Sequence, residues 1–168
     1  MTRAVDGGKD ASVDSTLGFL TRDVVKLRLS AADKNGVIAE LVALLVERGK
    51  IEKKDEEAIV QAIQKRESLG STGIGHGLAI PHAKASPHVK SLIGAFGRSS
   101  RGIDYGAIDG EPCNLFFLMV SPANGVDAHL KILKKLAGLG RDQTFCRFLA
   151  EAKDEEEVMS LLKEAEER

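Results

Sequence analysis

The chain has 168 residues, 43% of them hydrophobic, which is enough for one domain with a packed core and no need of disulfide staples. Its 24 Lys+Arg nearly balance 25 Asp+Glu, so no global field draws it to nucleic acid or to an anionic membrane. No apolar run reaches the roughly 18 residues of a membrane span, so no membrane insertion is expected. The opening segment, residues 1–14, is rich in Gly, Asp, Ser and Lys without an apolar period; it is unlike a secretion signal and reads as a disordered tail. After it, Ser15 to Leu20 reads as a helical turn. Val25, Leu27 and Leu29 then alternate with Lys26 and Arg28 in a half-buried strand over 24–29. Asp33 or Asn35 caps a helix carrying Val37, Ile38, Leu41, Leu44 and Leu45, which Gly49 ends. Asp55 opens a second helix whose buried stripe is Ile59, Ala62 and Ile63.

A glycine-rich stretch, Gly70 to Gly77, leads into a short strand that stops at Pro81. Two strands follow, 91–97 and 113–120, joined by a link with Gly102, Gly106 and Asp109-Gly110. Asp127 caps a helix expected to turn Leu130, Leu133, Leu136 and Ala137 inward. Asp142 or Arg141 starts another with Phe145, Phe148 and Leu149. Asp154 with Glu157 forms a capping box for the last, whose stripe is Val158, Leu161, Leu162 and Ala165. The fold class is α/β: one domain over 15–168, a small mixed sheet flanked by helices on both faces.

The chemistry concentrates in Gly77-Leu78-Ala79-Ile80-Pro81-His82-Ala83. Proline fixes its own φ, lacks an N–H and biases Ile80 towards extended geometry, so His82 emerges from the edge of a core with its direction decided. Such an imidazole suits a metal ligand, a general base or a nucleophile towards phosphorus. The glycine stretch lacks the lysine of a P-loop and the spacing of a dinucleotide fingerprint; it reads as a turn, or as a close approach in which Ser71 and Thr72 offer groups to an anion. His76, His82 and His88 fall at intervals of six, which fits no zinc pattern; His76 and His88 read as exposed. Cys113 and Cys146 have no CxxC spacing and read as buried, reduced thiols of a cytoplasmic protein.

Two further residues can join His82. Arg66 lies three residues after Ile63, on the apolar stripe of its helix. Its guanidinium either caps the helix end or crosses the next loop towards His82, where its fork would match a phosphoryl group. His129 sits in the first turn after Asp127, where orphan N–H groups favour an anion and disfavour imidazolium; it is either a helix-start residue or part of an anion site.

The run from Arg66 to His82 resembles the phosphorylation-site region of type-2 enzyme IIA proteins of the bacterial phosphoenolpyruvate-dependent phosphotransferase system, the fructose, mannitol and nitrogen-related family. The resemblance continues through Asp109-Gly110, the strand 115–120 ending in Pro122, and Asp127-Ala128-His129-Leu130, and covers Ser15 to the end. It implies that His82 accepts phosphate from the histidine phosphocarrier protein HPr, and that Arg66 and His129 match the arginine and second histidine beside it. No cofactor and no metal is implied, and no role carries over to His76. A site served by a protein donor is shallow, with Leu78, Ile80 and the loop 70–77 as candidates for its docking surface. The onward partner is either a regulatory target protein or a permease IIB domain. With no IIB cysteine domain, HPr-like segment or membrane portion in the sequence, the expectation is a nitrogen-related regulator, with a fructose- or mannitol-type transport component as the alternative.

Overall fold

The computed structural model describes residues 16–167; the expected tail and Ser15 lie outside them. Thr16 to Phe19 form the anticipated turn, closed by Leu20 N–H donating to the Leu17 carbonyl. The first strand, β1 (Val25–Lys26), is much shorter than its alternating pattern suggests. A 3-10 turn over Arg22–Val24 precedes it, and only Val25 and Lys26 pair with a neighbouring strand. Helix α1 (Lys34–Glu47) begins where the Asp33 carboxylate accepts from Gly36 N–H, and ends at Gly49, whose φ of 74° suits a residue without a Cβ. A second 3-10 turn, Lys53–Asp55, leads into α2 (Glu56–Ser68), which buries Ile59, Ile63 and Glu67. Ala62, expected on that stripe, is exposed.

The chain then makes β2 (Gly73–Gly75), β3 (Leu78–Ala79), β4 (His82–Ser86), β5 (Ile93–Ile103) and β6 (Cys113–Pro122). Gly77, at φ 80°, turns β2 back into β3, and a Cβ there would meet Asn114 Oδ1 at 2.6 Å. The six strands form one mixed sheet in the order β1-β5-β6-β3-β2, with β4 also on β6. β3 and β4 run parallel to β6 along the same edge, pairing Ala79 with Phe116 and His82 with Met119. The strand therefore pauses at Ile80 and Pro81 and resumes, where the sequence suggested that it stops. Proline has no donor, but its carbonyl still accepts from Met119 N–H, so pairing continues past it. His82 consequently opens a strand and is held by the sheet.

β6 is buried on both faces, as its unbroken apolar run requires. Phe116, Leu118 and Val120 face the α1 and α2 side, while Leu115, Phe117 and Met119 face the opposite side. There α3 (Val126–Gly140), α4 (Gln143–Glu151) and α5 (Glu155–Glu166) cover the sheet, so the expected α/β arrangement with helices on both faces is the one observed. Asp142 and Asp154 cap α4 and α5 through Phe145 N–H and Glu157 N–H. Glu157 in turn accepts from Lys153 N–H, one residue before the cap. Phe148, expected inside α4, is 45% exposed, and Cys146 takes the inner position.

α3 departs from its expected phase. Gly125 stands at its N-cap, Asp127 makes no capping bond, and the buried row is His129, Ile132, Leu136 and Leu139. Leu130 is left 53% exposed. The helix is turned by about one residue because His129, read as polar, packs inward and bonds to Ser121.

Candidate phosphoryl-acceptor site

Three elements converge on one groove of about 590 Å³: the end of α2 with Lys65, Arg66 and Leu69, the start of β4 with His82, Ala83 and Lys84, and the first turns of α3 with His129, Leu130 and Leu133. Pairing to Met119 fixes the backbone of His82, and the side chain is fixed by its own strand: Nδ1 lies 2.7 Å from the Ile80 carbonyl oxygen. A carbonyl only accepts, so Nδ1 carries the proton and Nε2 keeps its lone pair. His82 is 8% exposed, and its Nε2 is not among the sealed, unpartnered atoms. The ring is thus gripped at one nitrogen and open at the other.

His129 lies with its ring centroid 5.3 Å from that of His82, the planes tilted by 59°. Its Nδ1 is 2.7 Å from Ser121 Oγ, and its Nε2 is buried without a partner. An orphaned ring nitrogen costs free energy unless something fills the space beside it. Burial, reinforced by the charges of His82 and Lys84, pulls His129 down from its ordinary 6.5 to about 4. His82 is lowered as well, by burial first, then against the pull of the Ile80 carbonyl by the charge of Arg66, with Glu67 raising it and Lys84 lowering it further. Both rings are held towards the neutral form, the form that supplies a nucleophile or a neutral donor.

Arg66 shows both behaviours its position allows. Nη1 donates to the Gly70 carbonyl at 2.8 Å, closing the loop after α2, and the rest of the guanidinium lines the groove without a partner among the described residues. Lys84, which the sequence reading missed, follows His82 by two residues along a strand, so it shares the histidine's side of β4. Glu67 and Ser121 were missed too. A charge at i+4 from Ile63 is the signal for the first; Ser121 carries none until the α3 phase is known.

Leu78 and Ile80 do not form a docking surface: they are 0% and 3% exposed and pack in the core between sheet and α3–α5, because the strand they belong to is covered on that side. Nor does the loop 70–77 line the groove; its apolar walls are Leu69, 79% exposed, and Leu130. His76 is exposed at φ 57°, its N–H donating to Asp109 Oδ2. His88 bonds through Nδ1 with Asp55 Oδ1 at 3.0 Å. Cys113 and Cys146 are buried and free. Among the described residues no group of three or more His, Cys, Asp or Glu could hold a metal ion, and no helix is long and apolar enough to cross a membrane.

The α/β scaffold thus gathers two imidazoles, both with lowered pKa, and the cationic side chains of Arg66 and Lys84 round one groove. Residues 18–165 match the family described as phosphoenolpyruvate-dependent sugar phosphotransferase system, EIIA 2, and the chain belongs to it. It is therefore a phosphotransferase-system component of the phosphoryl-carrier kind. The chain is 35% identical over 134 residues to a nitrogen regulatory protein of Bradyrhizobium diazoefficiens, covering 80% of this chain and 85% of the relative. It is 38% identical over 144 residues, 86% of this chain, to the fructose-specific EIIABC component of Bacillus subtilis, of whose length it spans 22%. The crystal structure of the nitrogen regulatory protein IIA-Ntr from Neisseria meningitidis superposes with a TM-score of 0.78 at 31% identity, covering 86% of this chain and 96% of that one. IIA mannitol from Escherichia coli shares the fold, with a TM-score of 0.71 at 24% identity over 84% of this chain and 97% of that one.

Proposed function

We propose that His82 is the phosphoryl acceptor of a nitrogen-related IIA protein, receiving phosphate from an HPr-type phosphocarrier. The observation that carries this is the Nδ1–H bond to the Ile80 carbonyl, which leaves Nε2 as the nucleophile. The Nε2 lone pair attacks the phosphorus of the donor's phosphohistidine in line; the donor's P–N bond breaks and its electron pair returns to the donor ring. As the new N–P bond forms, positive charge spreads over the His82 ring, and the Ile80 carbonyl on Nδ1–H stabilises it. Arg66 and Lys84 offset the charge of the transferred oxygens. His129 donates from Nε2–H to one of them, with Ser121 O–H donating to Nδ1, which gives the orphaned nitrogen its partner.

Leu69 and Leu130, which line the groove and are exposed, are the apolar contacts for the donor protein. The regulatory reading rests on relatives called nitrogen regulatory protein and on the likeness to IIA-Ntr at higher identity than to IIA mannitol. Phosphorylation adds about one and a half to two negative charges at the groove, enough to change which partner docks without moving the fold. The site of action is the cytoplasm, where an HPr-type donor works. The test is the fate of the phosphorylated protein in cell extract: a regulator keeps its phosphate when sugars are added and binds a non-permease protein in one phosphorylation state. Rapid, membrane-dependent loss of phosphate on sugar addition assigns it to transport through a IIB domain.

A further inference from the structure

Glu67 is a charged residue 7% exposed at the end of α2, next to Arg66 in sequence. Its carboxylate is fully engaged. Oε1 accepts from Lys34 Nζ at 3.2 Å and from Thr72 N–H at 3.2 Å, while Oε2 accepts from Tyr105 OH at 2.8 Å and from the Thr72 hydroxyl. Thr72 is therefore held at both its backbone donor and its side chain. Its carbonyl in turn accepts from Ile80 N–H at 3.0 Å, and the Ile80 carbonyl accepts the His82 Nδ1–H. A buried carboxylate and the reacting imidazole are thus the two ends of one hydrogen-bonded path, Glu67 to Thr72 to Ile80 to His82.

We infer that Glu67 is a positioning residue for His82: by gripping Thr72 it seats Ile80, whose carbonyl holds the imidazole in the tautomer that leaves Nε2 free. The inference rests on the phosphoryl-acceptor reading of His82. The ladder is thin here: β3 is only two residues long, β2 pairs with it across a register shift, and beyond Ile80 the next backbone bond is Met119 N–H to the Pro81 carbonyl. Short pairing leaves a strand weakly specified, and the carboxylate supplies what the ladder lacks. Lys34 holds the same carboxylate at Oε1, and Tyr105 OH, bonded to Oε2, also lies 3.4 Å from Thr72 Oγ1 and so belongs to the path.

The test reads the His82 ring directly, by nitrogen-15 shifts of the imidazole, together with the rate of phosphate acceptance from an HPr-type donor. Wild-type protein is expected to show the single Nδ1–H tautomer. Glu67→Gln keeps acceptor and size, since the Thr72 and Tyr105 hydroxyls can rotate to accept from its amide; the tautomer should persist and transfer stay within about threefold. Glu67→Ala should populate both tautomers and slow transfer at least about tenfold. Thr72→Val, which removes the hydroxyl link to Oε2 and leaves the Thr72 N–H link to Oε1, should mix the tautomers in part, whereas Lys34→Met, which removes a bond to Oε1 that does not run through Thr72, should not. A folded Glu67→Ala protein with an unchanged tautomer and rate overturns the inference. If Glu67→Ala does not fold, the comparison of Thr72→Val with Lys34→Met decides, and equal effects of the two contradict it. The tautomer is measured without phosphate, so a wild-type protein that takes up none rejects the acceptor reading and leaves the positioning result standing by itself.

Discussion

His82 and His129 each spend Nδ1 on the scaffold, one towards the Ile80 carbonyl and the other towards Ser121 Oγ, while their rings stand 5.3 Å apart. The two Nε2 atoms are the ones left for a ligand. One is open to the groove and the other is buried without a partner, an asymmetry that suits a nucleophile beside a donor.

Removing the donor should therefore impair transfer more than folding. His129→Ala is expected to slow phosphate acceptance by at least about tenfold, equivalent to about 1.4 kcal/mol of transition-state stabilisation, and His129→Gln, which retains an N–H donor, to recover part of that loss. Rates from a phosphorylated HPr-type donor, with circular dichroism to confirm the fold, check this.

The same residue sets a pH dependence of stability. His129 is lowered in the folded protein from 6.5 to about 4, so the unfolded chain binds the extra proton first as pH falls. Its contribution is fully present above pH 6.5 and is lost progressively as pH drops through about 4. Urea midpoints measured across that range should fall more steeply for the wild type than for His129→Leu.

Arg66 presents a planar fork, with one arm already used on the Gly70 carbonyl. Arg66→Lys keeps the charge and loses the fork, so transfer should slow at least about tenfold while the melting temperature changes little. A large loss of melting temperature with normal transfer would make the residue a loop anchor alone.

Burial is the first cause of the lowered His82 pKa, and the charges of Arg66 and Lys84 add to it. Lys84→Ala removes one of these charges and should raise the midpoint of the His82 titration, followed by proton NMR of the imidazole. The acid limb of the transfer rate should move to higher pH with it, because the protonated ring has no lone pair to offer.

The cysteines should be inert in the folded protein. Burial, with Asp109 and Asp142 beside them, pushes the thiol of Cys113 up to about 12 and that of Cys146 up to about 11. A chromogenic disulfide reagent should titrate neither thiol near neutral pH until urea unfolds the chain.

The parts of this arrangement that are legible in the sequence are those governed by local rules. Asp33, Asp142 and Asp154 cap helices, and the spacing of Ile59, Ile63 and Arg66 places the arginine at the edge of a buried face. The apolar run of β6 signals a strand covered on both sides. What was not legible depends on partners distant in sequence. The phase of α3 is decided by Ser121 accepting a histidine into the interior, and the continuation of the strand past Pro81 by a bond from Met119. Glu67 falls at i+4 from Ile63 on the buried face, but its role depends on Lys34, Thr72 and Tyr105 converging on it. Leu78 and Ile80 looked available beside a reactive histidine, yet their alternation is hidden by a sheet edge that carries helices over it.

The central claim, that His82 Nε2 is the phosphoryl acceptor, is tested most directly by incubating the protein with phosphoenolpyruvate, enzyme I and HPr and recording phosphorus and nitrogen-15 NMR of the product. One acid-labile, base-stable phosphate is expected, coupled to Nε2 of His82 and absent from His82→Ala. Full phosphorylation of His82→Ala, or a phosphate coupled to Nδ1, would contradict it.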